Sequence, residues 1–305
     1  MLLTKKHRLR VGTRGSRLAL AQTDEVIQKL QSIGIECEII PIKTTGDLIL
    51  NKPLVDIGGK ALFLKEIEES LLNNHIDIAV HSLKDVPAIL PEGLIIPAVL
   101  KRCEPEDALI ANYRLDELPN GSVIGTCSVR RKAFLKHIFG NKFNIVDLRG
   151  NIDTRVEKIK NGELNGIVIA KCGIQRLHLE SYISEIISRD VILPAIGQGT
   201  IAIECRVDDS GIVQILSLIN DKQTFDCITA ERSFMLEMQG NCHTPLAAFA
   251  KFKDEKLILK GAFALPNGEK IFYKTMTTDN DFYDLGIAVA KFIKNEMQKY
   301  GVYCY

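Results

Sequence analysis

Apolar positions recur along the first hundred residues at two different periods. Leu9–Thr13 reads as a short strand, and Arg17–Ile33 carries apolar residues at helical spacing. Ile35–Lys43 is strand-like, and Phe63–Leu72 returns to the helical period. Ile76–Val80 is a β-branched apolar run of the kind buried in a parallel sheet, and Leu94–Leu100 predicts another strand. After Cys103-Glu104-Pro105 the pattern restarts. Strands are predicted over Ala108–Ala111, Ser122–Gly125, Phe143–Leu148 and Gly166–Ala170, with helices from Ser128 and over Ile152–Lys160.

Strands alternating with helices predict βαβ units and mostly parallel sheets, here two doubly wound α/β blocks. Ile201–Arg206 is strand-like but has no βαβ partner of its own, so the chain is expected to cross back there into the first block. Crossings near 101–105 and 194–200 would make a hinge between two lobes. Beyond Asp221 the style changes. A helix is predicted over Phe225–Met238, strands over Leu246–Phe252, Lys256–Leu265 and Lys270–Met276, and a helix over Leu285–Gln298. That is a small α+β third domain with a three-stranded antiparallel sheet. The expected division is 1–100 with 200–219, 105–194, and 221–305.

Composition narrows the class. The chain has 305 residues, 46% apolar and 25% charged, which suits a globular fold with real cores. Lys and Arg number 39 against 38 Asp and Glu, too even for a general nucleic-acid binder. No apolar run is long enough to span a bilayer, and the first residues lack the apolar stretch of a signal peptide, so a cytoplasmic protein is expected. The eight cysteines form no C-x-x-C pair and no His/Cys cluster, so neither zinc nor a redox motif is expected. Phosphate-loop and dinucleotide fingerprints are missing too.

What stands out is a set of basic residues at strand-to-helix turns. Arg14, Ser16 and Arg17 follow the first strand. Thr126, Ser128, Arg130 and Arg131 follow a strand of the second block, and Arg149 and Arg155 follow the next. In open α/β sheets ligands lie beyond the carboxyl ends of the strands. Helix N-termini there offer free N–H groups, and arginines offer forks that match carboxylates. The pattern predicts a cleft for a ligand with several carboxylates. His81, Ser82, Lys84 and Asp85 crowd the end of the strand at Ile76–Val80, and Asp85 could stabilise a cation or move a proton there. Cys242 differs from the other cysteines: it follows a helix end, between Asn241 and His243, where thiol chemistry is accessible. These residues leave three readings open: a transferase, a two-lobed anion-binding or sensor protein without catalysis, and a hydrolase using Cys242 with His243.

Seven segments in order resemble the porphobilinogen deaminase (hydroxymethylbilane synthase) family. They are Arg14-Gly-Ser-Arg-Leu-Ala-Leu-Ala-Gln22, Gly58-Gly-Lys-Ala-Leu-Phe63, His81-Ser-Leu-Lys-Asp-Val-Pro87, Thr126-Cys-Ser-Val-Arg-Arg131, Leu148-Arg-Gly-Asn-Ile-Asp-Thr-Arg155, Leu193-Pro-Ala-Ile-Gly-Gln-Gly199 and the Cys242 loop. The resemblance implies two lobes like those of periplasmic binding proteins plus the third domain. It implies head-to-tail joining of four porphobilinogen molecules onto a dipyrromethane primer, with loss of ammonia, to give a linear tetrapyrrole. The primer would be held by a thioether to Cys242. Asp85 would be the catalytic aspartate, a carboxylate that stabilises developing positive charge. Lys84, Ser82, Thr126, Ser128, Arg130 and Arg131 would bind the cofactor, and Arg14, Ser16, Arg17, Lys60, Arg149, Arg155 and Arg176 the substrate. No metal is implied, and a monomer is expected, since each chain carries a full set of site residues. The chain departs from the family pattern at Asn241, Cys127, Asp56 and Asp153.

Overall fold

β1 (Leu9–Arg14) alternates buried Leu9 and Val11 with half-buried Arg10, and α1 (Arg17–Ser32) buries Val26 and Leu30 beside it. The computed structural model describes residues 8–45, 64–148, 150–240 and 244–303. Of the residues singled out above, Asp56, the segment 58–63 with Lys60, Arg149, Asn241, Cys242 and His243 lie outside these. The chain divides into two compact units, Met1–Arg102 with Thr200–Phe225 and Cys103–Gly199 with Asp226–Tyr305.

In the first unit β2 (Cys37–Ile42), β3 (Ile78–Ser82), β4 (Leu94–Val99) and β10 (Ile201–Arg206) join β1 in one sheet of order β2-β1-β3-β10-β4. β1 runs parallel to β2 and β3, while β10 is antiparallel to both β3 and β4. On one face Val11, Ile78, Val80, Ile201 and Ile203 pack with α1 and with Leu216 of α6 (Ser210–Ser217). On the other, Ile76 and Ala79 pack with Ile67 and Leu71 of α2 (Lys65–Leu72). The crossing back at Ile201–Arg206 is therefore present, as the unpartnered strand pattern predicts. β3 lies two residues later than its apolar run suggests. The ladder with β10 supplies partners for His81 and Ser82, which sit opposite Ala202 and Ile201, so both are strand residues and not the loop that follows.

The second unit repeats the arrangement. β5 (Asp107–Ala111), β6 (Ser122–Gly125), β7 (Phe143–Val146), β8 (Gly166–Ala170) and β9 (Glu185–Ile187) form a sheet of order β7-β6-β8-β5-β9. β6 is parallel to β7 and β8, and β5 is antiparallel to β8 and β9. Each sheet thus has one reversed strand in the fourth place. Helices α3 (Val129–Phe139), α4 (Ile152–Lys160) and α5 (Lys171–Arg176) connect these strands.

The same unit contains a separate antiparallel meander of β11 (Leu246–Lys253), β12 (Lys256–Ala264) and β13 (Ile271–Thr278). Period-two alternation gives it two apolar faces. Ala248, Ala250, Leu257 and Leu259 pack with Phe234 of α7 (Lys222–Glu237) and Val289 and Ile293 of α8 (Phe282–Lys299). Ala247, Ala262, Ala264 and Ile271 pack instead with Phe134, Leu135 and Val168. Gly286 lets α8 approach α7 closely, because a Cβ there would lie 2.0 Å from Ser233 Oγ and 2.2 Å from the Ala230 carbonyl.

Candidate functional site

In the first unit the strand ends present the predicted residues in two turns. Arg14 closes β1, and Ser16 caps α1, its Oγ accepting from the Ala19 N–H at 3.3 Å. That hydroxyl satisfies a donor the helix would otherwise leave open. Arg17 is the first residue of α1 and is exposed. β3 ends at Ser82 and runs into a 3₁₀ turn at Leu83–Asp85. The turn is fixed by its own ends: Leu83 and Val86 are buried, the Leu83 N–H donates to the Thr200 carbonyl at 3.0 Å, and the Val86 N–H to the Leu83 carbonyl at 3.0 Å. Lys84 and Asp85 are carried half-buried between these anchors.

Two partners behind this turn were not visible in the sequence pattern. Ser82 Oγ lies 2.8 Å from Nε2 and 2.9 Å from Oε1 of Gln22, a buried residue of α1, so the hydroxyl has a fixed orientation. The only signal was that Gln22 closes the first family-like segment. His81 Nε2 lies 2.9 Å from Glu204 Oε2 on β10, both side chains buried. Glu204 Oε1 is buried without a hydrogen-bond partner among the described residues. Half-buried Glu68 of α2 feels this pair: burial first, and then the Glu204 charge, push its carboxyl up to about 7, against a smaller opposing effect of His81.

In the second unit the turn after β6 is held by its own hydroxyls. The Ser128 N–H donates to Thr126 Oγ1 at 3.3 Å, and Ser128 caps α3 by accepting from the Arg131 N–H at 3.4 Å. The Cys127 thiol donates to the Leu148 carbonyl at 2.7 Å. Arg130 and Arg131 are almost wholly buried and straddle one carboxylate. Asp107 Oδ2 is 2.9 Å from Arg130 Nη2, and Oδ1 is 2.7 Å from Arg131 Nη2. Arg130 Nη1 also donates to the Leu193 carbonyl at 2.6 Å, and Arg131 Nη1 to the Val168 carbonyl at 3.1 Å. Burial opposes ionisation of Asp107, but the two guanidiniums outweigh it and hold the carboxyl below the usual carboxylate range. Arg155 is also basic and half-buried at the start of α4, its Nε donating to the Gly150 carbonyl at 2.9 Å. Burial lowers its pKa, Cys127 raises it, and Arg131 lowers it further. Arg176 ends α5, with Nη2 3.5 Å from the Gly199 carbonyl.

Among the described residues this edge concentrates positive charge, with Arg130 and Arg131 on the Asp107 carboxylate and Arg155 within reach of the Arg131 charge. Uncompensated buried cations are costly, so such an edge favours a carboxylate ligand. Among the described residues no group of three or more His, Cys, Asp or Glu could hold a metal ion. No described helix is long and apolar enough to cross a membrane. Of the six described cysteines, Cys172, Cys205 and Cys227 are buried, and none forms a disulfide.

Comparison with known proteins agrees with this chemistry. Residues 9–214 match the family model "Porphobilinogen deaminase, dipyromethane cofactor binding domain", and residues 225–295 match "Porphobilinogen deaminase, C-terminal domain". The porphobilinogen deaminase of Rickettsia canadensis is 44% identical over 301 residues, covering 96% of this chain and 99% of that one. The chloroplastic enzyme of Oryza sativa is 42% identical over 299 residues, covering 95% and 83%. Among solved structures, a putative methionine-binding lipoprotein from Bacillus subtilis is similar with a TM-score of 0.45 and 13% identity, over 72% of this chain and 94% of that one. A periplasmic substrate-binding protein from Coxiella burnetii gives a TM-score of 0.44 and 14% identity, over 70% and 92%.

Proposed function

The chain belongs to the porphobilinogen deaminase family, and on that premise we propose that it is a cytoplasmic, monomeric hydroxymethylbilane synthase whose dipyrromethane is joined by a thioether to Cys242. Three domains are proposed, 1–100 with 200–219, 105–194, and 221–305. When bound, the dipyrromethane would supply the free ring α-carbon to which the first porphobilinogen is joined, and each later unit would join the terminal ring of the growing chain, the new C–C bond replacing the aminomethyl C–N bond as ammonia and the ring α-proton leave.

The observation that carries this reading is the buried charge excess around Asp107. Each pyrrole unit brings an acetate and a propionate, so the chain must be met by cations in a dry site. Arg130 and Arg131 keep buried Nε–H groups without an acceptor among the described residues, which fits a carboxylate-bearing cofactor. In this reading Arg130, Arg131, Thr126, Ser128, Ser82 and Lys84 hold the cofactor. Arg14, Ser16, Arg17, Lys60, Arg149, Arg155 and Arg176 hold the acid groups of porphobilinogen and of the lengthening chain. Asp85, fixed between Leu83 and Val86, stabilises positive charge that develops on the pyrrole during loss of ammonia.

Intact mass under denaturing conditions tests the reading. The purified chain should exceed its sequence mass by two linked pyrrole units, and Cys242→Ser should fold, lack the excess and make no product. Product formed at the normal rate by Cys242→Ser would exclude the thioether. A wild-type chain that gains no mass on incubation with porphobilinogen would favour an anion-binding protein without catalysis.

A further inference from the structure

The turn Leu193–Gly199 is a family-like segment to which the chemistry above gives no task. It carries neither a phosphate fingerprint nor a charged side chain. Its structure is nevertheless elaborate for a connection. Gly197 and Gly199 both adopt left-handed backbone, with φ of 71° and 90°, which a side chain would resist. The Gly197 N–H donates to the buried carboxylate of Glu231 at 2.8 Å, and the Ala248 N–H to the Pro194 carbonyl at 3.2 Å. Gln198 is fully buried, and its Nε2 donates to Asp107 Oδ1 at 2.9 Å and to the Pro105 carbonyl at 2.6 Å. The same turn provides the Leu193 carbonyl that takes Arg130 Nη1. Every one of these contacts bears on the Asp107 cluster or on the frame around it.

Asp107 itself opens β5 and is fully buried. Each of its oxygens meets the Nη2 of a different arginine. Each guanidinium thereby has both amino groups committed inside the unit, Nη2 to Asp107 and Nη1 to a backbone carbonyl. Among the donors that remain on each is a buried Nε–H with no acceptor among the described residues. Two cations against one carboxylate also leave one positive charge uncompensated. The missing acceptor and the missing negative charge are supplied together by a single carboxylate, whose two oxygens can meet two donors.

We propose that Asp107, held by Gln198, is the positioning residue of the cofactor-binding arginines: it fixes both guanidiniums and sets the cluster's charge so that it takes one ligand carboxylate. The inference rests on the reading of Arg130 and Arg131 as cofactor-binding residues. It assigns a task to two residues that touch no cofactor, and explains why a turn devoid of chemistry is built so tightly. Asp107 acts through the arginines and is not a catalytic residue.

Asp107→Asn tests it with two readouts that move in opposite directions. Cofactor loading of the cofactor-free chain by porphobilinogen, followed by intact mass, should slow at least tenfold, because the guanidiniums lose their common anchor. Thermal stabilisation by inorganic sulfate, measured against sodium chloride of equal ionic strength, should instead grow, because the cluster carries one more uncompensated positive charge. A purely structural Asp107 would lower the baseline melting temperature and leave the sulfate effect as in wild type. That result, or loading at the wild-type rate, would overturn the proposal. Gln198→Leu removes one donor to Asp107 and keeps the charge, and covers the case in which Asp107→Asn does not fold. It should slow loading severalfold with an unchanged sulfate effect, and wild-type loading there also overturns the proposal. If the wild-type chain itself takes up no porphobilinogen, the proposed function fails, whereas the sulfate comparison still decides whether Asp107 sets the charge of an anion site.

Discussion

The two sheets have the same strand arrangement and opposite buried chemistry. Each places its reversed strand fourth, β10 in one and β5 in the other, and each holds its buried ionic cluster on that strand. Around β10 the cluster is acidic: Glu204 meets His81, and half-buried Glu68 feels the charges of both. Around β5 it is basic: Arg130 and Arg131 share one carboxylate, Asp107. The cluster at β5 keeps an excess cation and two buried N–H donors without an acceptor among the described residues. A fold repeated within one chain therefore need not repeat its buried chemistry: one sheet encloses an acidic cluster and the other a basic one.

Replacing each buried pair by apolar side chains gives the sharpest contrast. Breaking one partner of a buried ion pair costs about 3–5 kcal/mol, but exchanging both for apolar residues is often nearly neutral. Glu204→Leu should therefore destabilise strongly, and the double variant His81→Leu/Glu204→Leu should recover most of that loss and still carry the cofactor. Arg130→Leu/Asp107→Leu should leave the chain without cofactor whatever its stability. Chemical unfolding with intact mass on each variant checks this. Normal cofactor loading by the Arg130→Leu/Asp107→Leu chain would erase the distinction between the clusters.

Much of this contrast could be read before the structure, and what escaped has a common cause. The alternation of periods marks β1 to β4 and the crossing strand β10, because long apolar runs carry their own signal. It misses β9, three residues long, and α5 and α6, at six and eight residues. Elements that short lack a full period, and Asp208-Asp209-Ser210-Gly211 reads as a turn before α6. Strand direction is absent from periodicity altogether, so the reversed β5 and β10 could be inferred only from the chain's path. The basic turns at Arg14, Thr126 and Arg155 were legible because several arginines recur at equivalent places. Asp107, Gln198, Gln22 and Glu204 were not. A lone acid or amide looks the same in sequence whether it is exposed or clamped between two cations, and only burial separates the two.

Titration separates the clusters with a smaller effect. Glu68 ionises near 7 in the fold, above its ordinary value of 4.5. Its contribution to stability is therefore fully present below 4.5 and is lost as pH rises through about 7. Asp107 is displaced the other way, so its contribution is present above its ordinary 3.8 and is lost as the medium becomes more acidic than that. Melting temperature should accordingly fall between pH 5 and 7.5 by an amount worth on the order of 1 kcal/mol, since Glu68 is only half-buried and screened by solvent. Glu68→Gln should remove that slope and leave the acid limb untouched. A wild-type slope persisting in Glu68→Gln would assign the neutral titration to other groups and weaken the acidic half of the contrast.

Salt should act on the ligand-binding charges and hardly at all on the closed pair. At 0.15 M ionic strength the screening length is about 8 Å, so charges reached by an incoming carboxylate through water are attenuated, whereas a buried pair at 2.9 Å is not. Raising sodium chloride from about 0.05 M to 0.5 M should lift KM for porphobilinogen a few-fold, with kcat nearly unchanged. Screening weakens the attraction of the acetate and propionate for Arg14, Arg17, Arg155 and Arg176 before contact is made, and leaves the Leu83–Asp85 turn where it was. The neutral pH slope assigned to Glu68 should keep its midpoint at the same time, because Glu204 acts on Glu68 from within the fold. Steady-state kinetics and melting curves across the same salt series check both at once. A midpoint that moved with salt while KM stayed constant would overturn both assignments: Glu68 would answer to charge reached through water, and the basic turns would not govern the binding of porphobilinogen.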